Sequence, residues 1–220
     1  AAATAWASWA PIVELSMNIR NRESIPDAIN NEHVVRRSRR GFDMQEFHSY
    51  DQILTGKNAI RRKLNRVMRK SLGHDQTDWP EYPRKGERLI VLKNVHKFDN
   101  YLVNGDQCMS TGDADVNKYG DRCIDILYEG SPLDQVPFYH HPFEVHYNQN
   151  SEQDPWPARK HLVEMDYAYA VTVHKSQGSE WPTVALVDDN LMGQDREFRK
   201  RWLYTAVTRA KERLLWIDMD

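Results

Sequence analysis

Residues 170–188 read AVTVHKSQGSEWPTVALVD and contain two short apolar runs separated by a polar turn. Runs rich in Val, Ala and Leu that are bounded by Gly, Ser and Pro predict buried β-strands. The chain continues with a charged segment from about Gln194 to Lys211, in which apolar residues recur at helical spacing, and ends in the apolar run LLWID. This alternation of strands and helix predicts a layered α/β sheet.

The first part of the chain carries a similar pattern. Residues 11–23 predict a short amphipathic helix, and the apolar run QIL at 52–54 predicts a strand. A turn at Gly56 follows, and residues 59–72 then predict a basic helix that ends at Gly73. These elements extend the α/β pattern to the first third of the sequence.

The middle of the chain, residues 84–165, has a different sequence pattern: short apolar runs, an Asn104-Gly105 turn signal and no long helical pattern. Here the run FEVHY, residues 143–147, also predicts a strand. We therefore predict a small all-β module inserted into one α/β domain. The predicted borders are 1–83 and 166–220 for the two α/β portions and 84–165 for the insertion.

Composition excludes several classes of protein. The 220 residues include 28% charged residues and only two cysteines, Cys108 and Cys123, which favours a globular chain without a disulfide framework. The spacing of these cysteines favours a reducing compartment, so we expect a cytoplasmic protein, and no run approaches the roughly 18 apolar residues of a membrane span. The net charge of −2 conceals an asymmetry, since residues 1–100 hold 18 Lys and Arg against 12 Asp and Glu. Such a local excess of basic residues is more often a solvated helix face, and a polyanion-binding surface is the alternative.

Two segments of the C-terminal third carry specific chemistry. TVHKSQGSEW, residues 172–181, places hydroxyl groups, amides and a glycine at a strand end, an arrangement suited to phosphate oxygens. YTAVTRAKERL, residues 204–214, carries Arg209 near the end of the predicted helix. Together, and in this order, the two segments resemble motifs V and VI of superfamily 1 DNA helicases, in particular the RecD-like and Dda-like group with its UvrD-type C-terminal domain.

The resemblance implies a fold and a set of site residues. The fold would be a second RecA-like domain, a layered parallel sheet of the P-loop NTPase type, with an SH3-like β insertion. Arg209 would be the catalytic arginine finger on the γ-phosphate of ATP. The candidate ATP-binding residues are Gln177, Gly178, Glu180, Arg209, Asn58 and Arg61, and the candidate contacts to single-stranded DNA are Thr172, His174, Lys175 and Ser176.

One expected motif is absent. The sequence contains no GxxxxGK[ST] phosphate-binding loop, and Asp188-Asp189 follows motif V, where the family does not place its magnesium ligands. We therefore expect ATP with Mg²⁺ as the cofactor, metal ligands on a preceding RecA-like domain of the same protein, and no metal ligands in this chain. That domain and single-stranded DNA are the expected partners, and replication or recombination proteins are further candidates.

The resemblance implies that the complete protein is an ATP-dependent helicase of a bacterial or phage-infected cell, moving 5′→3′. This chain alone would be inactive. The alternative is a truncated, non-catalytic nucleic-acid-binding or interaction module derived from a helicase.

Overall fold

The computed structural model describes residues 2–40, 43–97, 100–189 and 195–219. Its helices are Ala2–Asn21 (α1), Asn58–Ser71 (α2), His141–Glu144 (α3), Trp156–Arg159 (α4) and Arg196–Val207 (α5), with a 3₁₀ helix over Met44–Ser49. None of the helices in this described part of the chain is long and apolar enough to cross a membrane. The chain divides into two compact units, one formed by residues 1–62 and 170–220 and the other by residues 63–169.

The first unit contains a six-stranded sheet. Its strands are Ile29–Asn30 (β1), Val34–Ser38 (β2), Gln52–Thr55 (β3), Ala170–Thr172 (β12), Trp181–Asp188 (β13) and Ala210–Asp218 (β14). They lie in the order β1-β2-β14-β13-β3-β12, and every neighbouring pair is parallel except β1 and β2. Helices α1 and α5 contact each other, and both contact β14. The predicted α/β class with a parallel sheet is confirmed.

The central strands of this sheet are buried because they read as continuous apolar runs. Ile53 and Leu54 of β3 and residues 184–186 of β13 are fully buried. Their register pairs Ala185 with Ile53 on one side and with Leu215 on the other. These central strands therefore present their ends, rather than their faces, to solvent.

The second unit is built on antiparallel strands. They are Arg88–Val91 (β4), Val95–Lys97 (β5), Asn100–Leu102 (β6), Gln107–Ser110 (β7), Asp115–Val116 (β8), Arg122–Tyr128 (β9), Ser131–Pro137 (β10) and Met165–Tyr167 (β11). Five of them form a sheet in the order β10-β9-β7-β4-β11, with β8 paired to β9, while β5 and β6 form a separate hairpin. The predicted borders at 83/84 and 165/166 and the SH3-like assignment stay predictions.

Two predicted elements are wrong in detail. FEVHY does not form a strand, because Pro142 lies in the first turn of α3 and Phe143 packs edge-on against Phe138 and Tyr167 at centroid distances of 5.2 and 5.0 Å. The predicted helix from about Gln194 to Lys211 is shorter: α5 ends at Val207, and residue 194 lies outside the described residues. Arg209 consequently lies between α5 and β14 and is not part of the helix.

Candidate functional site

The loop between β12 and β13 is a compact turn that starts directly at the end of a buried strand. The backbone N–H groups of Lys175 and Ser176 donate to the carbonyl oxygen of Thr172 at 2.9 and 3.1 Å. The Ser176 hydroxyl donates to the carbonyl oxygen of Val173 at 2.8 Å, and the Ser179 N–H donates to the carbonyl oxygen of Ser176 at 3.0 Å. These bonds satisfy the loop backbone internally and hold it against the edge of the sheet.

This geometry separates the predicted site residues into two groups. His174, Gln177, Gly178 and Glu180 are exposed, whereas Thr172 and Ser176 are 9% and 1% exposed. The Ser176 hydroxyl is occupied within the loop, so its predicted contact to DNA would require that bond to be exchanged. The DNA-binding roles of Thr172, His174, Lys175 and Ser176 stay predictions.

Gly178 has a backbone conformation that other residues rarely adopt. Its φ is +90°, and a Cβ atom built there would meet no heavy atom within 4 Å. The glycine is therefore required by the turn and not by crowding. The next exposed side chain, Glu180, forms an ion pair with Lys211 at 3.3 Å.

Arg209 is held against this loop by hydrogen bonds to neutral groups. Its Nη1 donates to the carbonyl oxygen of Ser179 at 2.9 Å, and its Nε donates to the carbonyl oxygen of Thr205 at 3.0 Å. Its Nη2 donates to the Thr208 hydroxyl at 3.2 Å. Among the described residues no carboxylate pairs with this guanidinium, so its charge is oriented but not neutralised.

A groove of about 270 Å³ brings together residues that are distant in sequence. Its walls come from the β12–β13 loop and from one side of α5, and its lining is Val173, His174, Gln177, Phe198, Arg201, Trp202 and Thr205. His174 and Gln177 therefore share one surface with the helix that precedes Arg209. Sequence reasoning named the loop residues but missed Arg201, because a basic residue on a charged helix carries no distinguishing signal.

The candidate ATP-binding residues Asn58 and Arg61 lie on another element. Asn58 and Arg61 occupy the first turn of α2, where the Arg61 Nε donates to the Asn58 Oδ1 at 3.2 Å. Arg61 is 8% exposed and Asn58 is exposed. Neither residue lines the groove between the β12–β13 loop and α5. Their predicted role in nucleotide binding stays a prediction.

Asp189 fixes the start of α2, a role that sequence reasoning missed. Its carboxylate accepts hydrogen bonds from the Thr55 hydroxyl at 3.0 Å, from the Gly56 N–H at 3.1 Å and from the Lys57 N–H at 2.6 Å. The Lys57 Nζ donates to the Asp189 carbonyl oxygen at 2.9 Å. Because a negative charge at a helix N-terminus is favourable, this buried carboxylate determines where α2 begins.

The neighbouring Asp188 anchors side chains of α5 and β14. The two terminal guanidinium nitrogens of Arg199 donate to its two carboxylate oxygens at 2.8 and 2.6 Å. The Trp216 Nε1 donates to the same carboxylate at 3.2 Å. A sequence signal for both roles was available. Two acids directly at the end of a buried strand indicate bound partners, since charged residues rarely lie fully buried without them.

Comparison with known proteins identifies the class to which this arrangement belongs. The chain is similar in fold to the Bacteroides Pif1 helicase solved in complex with ADP-AlF3 and single-stranded DNA, with a TM-score of 0.51 and 15% identity. The match covers 93% of this chain and 48% of that one. The parallel unit thus has the RecA-like fold of helicases, as predicted.

The sequence comparisons find helicase-like segments in the chain. Residues 167–217 match the UvrD-like helicase C-terminal domain. The RecBCD enzyme subunit RecD of Buchnera aphidicola is 27% identical over 161 residues, covering 72% of this chain and 22% of that protein. An uncharacterised protein of Methanocaldococcus jannaschii is 51% identical over 51 residues, covering 23% of this chain and 4% of that protein. The C-terminal segment of the chain is therefore similar to the C-terminal domain of UvrD-like helicases, and the chain spans about a fifth or less of the curated relatives it matches.

Proposed function

We propose that this chain is the C-terminal portion of an ATP-dependent DNA helicase that moves 5′→3′ along single-stranded DNA and unwinds duplexes. The observation that supports this best is the placement of Arg209, whose guanidinium is held beside the exposed loop with no carboxylate partner among the described residues. A planar and permanently charged group in that position is suited to bind phosphate oxygens as negative charge develops on them. Arg209 is therefore proposed as the catalytic arginine.

The residues around Arg209 fit a nucleotide. Gly178 leaves open space beside a left-handed turn, so that a ligand can approach the backbone closely. Gln177 and Glu180 are exposed on either side of it and offer an amide and a carboxylate for the polar groups of a nucleoside. When bound, ATP supplies the phosphoanhydride bond whose hydrolysis releases the free energy for movement. The phosphate-binding loop and the Mg²⁺ ligands are proposed to lie in an N-terminal RecA-like partner domain.

The DNA-binding part of the proposal rests on the other end of the same loop. His174 is exposed, Thr172 is the last residue of β12, and Lys175 and Ser176 follow it in the loop. Single-stranded DNA in the Bacteroides Pif1 complex supports DNA as the ligand class of this domain type. Because one short loop runs from Thr172 to Glu180, we propose that it transmits changes at Arg209 to the residues that hold DNA.

The arginine is tested in a protein that joins this chain to a RecA-like domain with a phosphate-binding loop. Arg209→Ala should lower ATP hydrolysis stimulated by single-stranded DNA by about 10³-fold, because developing charge loses its stabilisation. Arg209→Lys should recover only part of the rate, since an ammonium cannot make the planar contact. Steady-state ATPase assays measure both effects, and duplexes with a 5′ or a 3′ single-stranded tail reveal the direction of movement.

The matched control is Arg213→Ala, which removes an exposed arginine from β14 whose guanidinium lies 5.5 Å from the Tyr50 ring centroid. Its ATPase rate should stay near that of the unaltered protein. Undiminished ATPase activity in Arg209→Ala would rule out the catalytic role. Absence of any stimulated ATPase in the joined protein would favour a non-catalytic binding module instead.

A further inference from the structure

A second cavity continues the groove described above. It has a volume of about 530 Å³ and shares Gln177, Arg201 and Thr205 with the first cavity. Its further lining residues are Arg20 from α1 and Lys200 and Tyr204 from α5. We call the combined surface the basic groove, and its polar and charged lining consists of Arg20, His174, Gln177, Lys200, Arg201, Tyr204 and Thr205.

The basic groove carries positive charge without acidic neighbours in its lining. None of the described residues that line the two cavities is Asp or Glu. The Arg20 side chain makes no hydrogen bond or ion pair with any described residue, and the Arg201 guanidinium uses only its Nε, which donates to the Glu197 carbonyl oxygen at 3.3 Å. Lys200 is the exception, because its Nζ lies 3.3 Å from the Glu197 carboxylate. That carboxylate also binds Arg22, so it offsets only part of the local charge.

The two unpaired guanidiniums face solvent beside aromatic and amide groups. Arg20 and Arg201 are exposed, and Tyr204 is 37% exposed. Exposed arginines combined with an aromatic ring are the usual chemistry for binding phosphates next to unstacked bases. The groove also begins at His174 and Gln177, so a ligand there would be continuous with the loop.

We propose that the basic groove binds phosphate groups, with Arg201 and Arg20 as the principal ligands and Lys200 as a weaker one. The same chemistry is offered by the sugar–phosphate backbone of single-stranded DNA and by the triphosphate of a nucleotide. Only the choice of DNA and ATP as the two phosphate-bearing ligands rests on the proposed function. The binding of phosphate itself follows from the geometry and charge of the groove.

The test uses the chain itself and two probes, a fluorescent oligothymidylate and ATP with Mg²⁺. Arg201→Ala should weaken binding of one probe about tenfold, because a hydrogen-bonded charge pair is lost. If the probe is the oligonucleotide, the slope of log affinity against log salt should also fall by about 0.7, as expected for one lost contact to a single strand. Arg20→Ala should have a similar effect and Lys200→Ala a smaller one.

Arg196→Ala is the matched control, because it removes an exposed arginine from the same helix and does not line the groove. Loss of oligonucleotide affinity identifies the DNA backbone as the source, and loss of ATP affinity identifies the triphosphate. Equal effects of Arg201→Ala and Arg196→Ala on both probes, or no binding of either probe by the unaltered chain, would overturn the proposal. If the groove variants weaken probe binding as expected but an Arg209→Ala protein retains its ATPase activity, only the proposed function is contradicted.

Discussion

The two units of this chain use buried charged groups in opposite ways. In the parallel unit, Asp188 and Asp189 lie at the end of β13. The Asp189 carboxylate binds the backbone that leads into α2, and the Asp188 carboxylate binds the Arg199 side chain of α5. In the antiparallel unit, the charged pair Arg69 and Glu87 lies wholly in the interior. The two aspartates contact groups next to solvent-exposed loops, whereas the Arg69–Glu87 pair contacts only groups in the interior. The candidate binding residues of the β12–β13 loop and of α5 also belong to the parallel unit.

The interior network of the antiparallel unit is centred on Arg69. Its Nε and Nη2 donate to the two carboxylate oxygens of Glu87 at 2.7 and 3.0 Å, and Nη2 also donates to the Tyr82 carbonyl oxygen at 2.8 Å. Its guanidinium lies over the Tyr167 ring at 4.2 Å from the centroid. Arg69 and Glu87 are both fully buried, so neither charge can be compensated by water.

The largest effect is expected from breaking this pair. Arg69→Met should lower the free energy of unfolding by about 3–5 kcal/mol, because Glu87 would be left as an uncompensated buried charge. Urea unfolding followed by circular dichroism measures the loss. The double variant Arg69→Met with Glu87→Gln should recover a large part of it. A loss of less than about 1 kcal/mol for the single variant would show that the pair is not needed, and the contrast between the units would fail.

A smaller effect is expected at the corresponding hub of the parallel unit. Asp189→Ala should cost about 2 kcal/mol of unfolding free energy, because the buried Thr55 hydroxyl and the Gly56 and Lys57 N–H groups lose their acceptor. Amide hydrogen exchange of Gly56 and Lys57 should accelerate. Both measurements together separate a local opening of the β3–α2 loop from global unfolding.

The matched control is Asp51→Ala, whose exposed carboxylate accepts hydrogen bonds from the N–H and hydroxyl of Thr183 at 2.9 and 2.8 Å. Because that site is exposed to water, its loss should cost less than about 1 kcal/mol. Unchanged exchange at Gly56 and Lys57 in Asp189→Ala would contradict the positioning role of Asp189.

The smallest effect on the free energy of unfolding is expected from the buried Cys108 thiol of the antiparallel unit at alkaline pH. Burial, with a further contribution from Asp106, raises the pKa of Cys108 from its ordinary value to about 12. The unfolded chain therefore releases this proton at lower pH than the folded one. The stabilising contribution of the thiol is complete below the unfolded pKa and is lost as the pH rises towards 12.

Comparison with Cys108→Ala isolates this contribution from other alkaline titrations. Between pH 7 and pH 9.5 the unaltered chain should lose on the order of 1 kcal/mol more unfolding free energy than the variant. Parallel urea unfolding series at several pH values measure the difference. Identical pH profiles for the two proteins would show that the Cys108 site is accessible to water.

Part of the fold and of the site could be predicted from local patterns. The strands β12, β13 and β14 contain the apolar runs AV, VALV and LLWI, which indicate buried strands without knowledge of their partners. The order of the two C-terminal segments also predicted the helicase type. The strand predicted for FEVHY was wrong. Its alternation of apolar and polar residues is typical of a strand, whereas burial of Phe143 among other aromatic rings stabilises a short helix. The end of α5 was misplaced because the helical spacing continues past Val207.

The sequence by itself determined the class of domain, the identity of the loop that carries His174 and Gln177, and the candidacy of Arg209. These properties depend on short stretches whose residue types and order carry the information. Only the tertiary structure decided that Arg209 has no acidic partner among the described residues, that Asp189 holds the start of α2, and that Arg20 and Arg201 share an acid-free groove. Such properties depend on contacts between residues far apart in the chain, and no local pattern specifies which side chains meet.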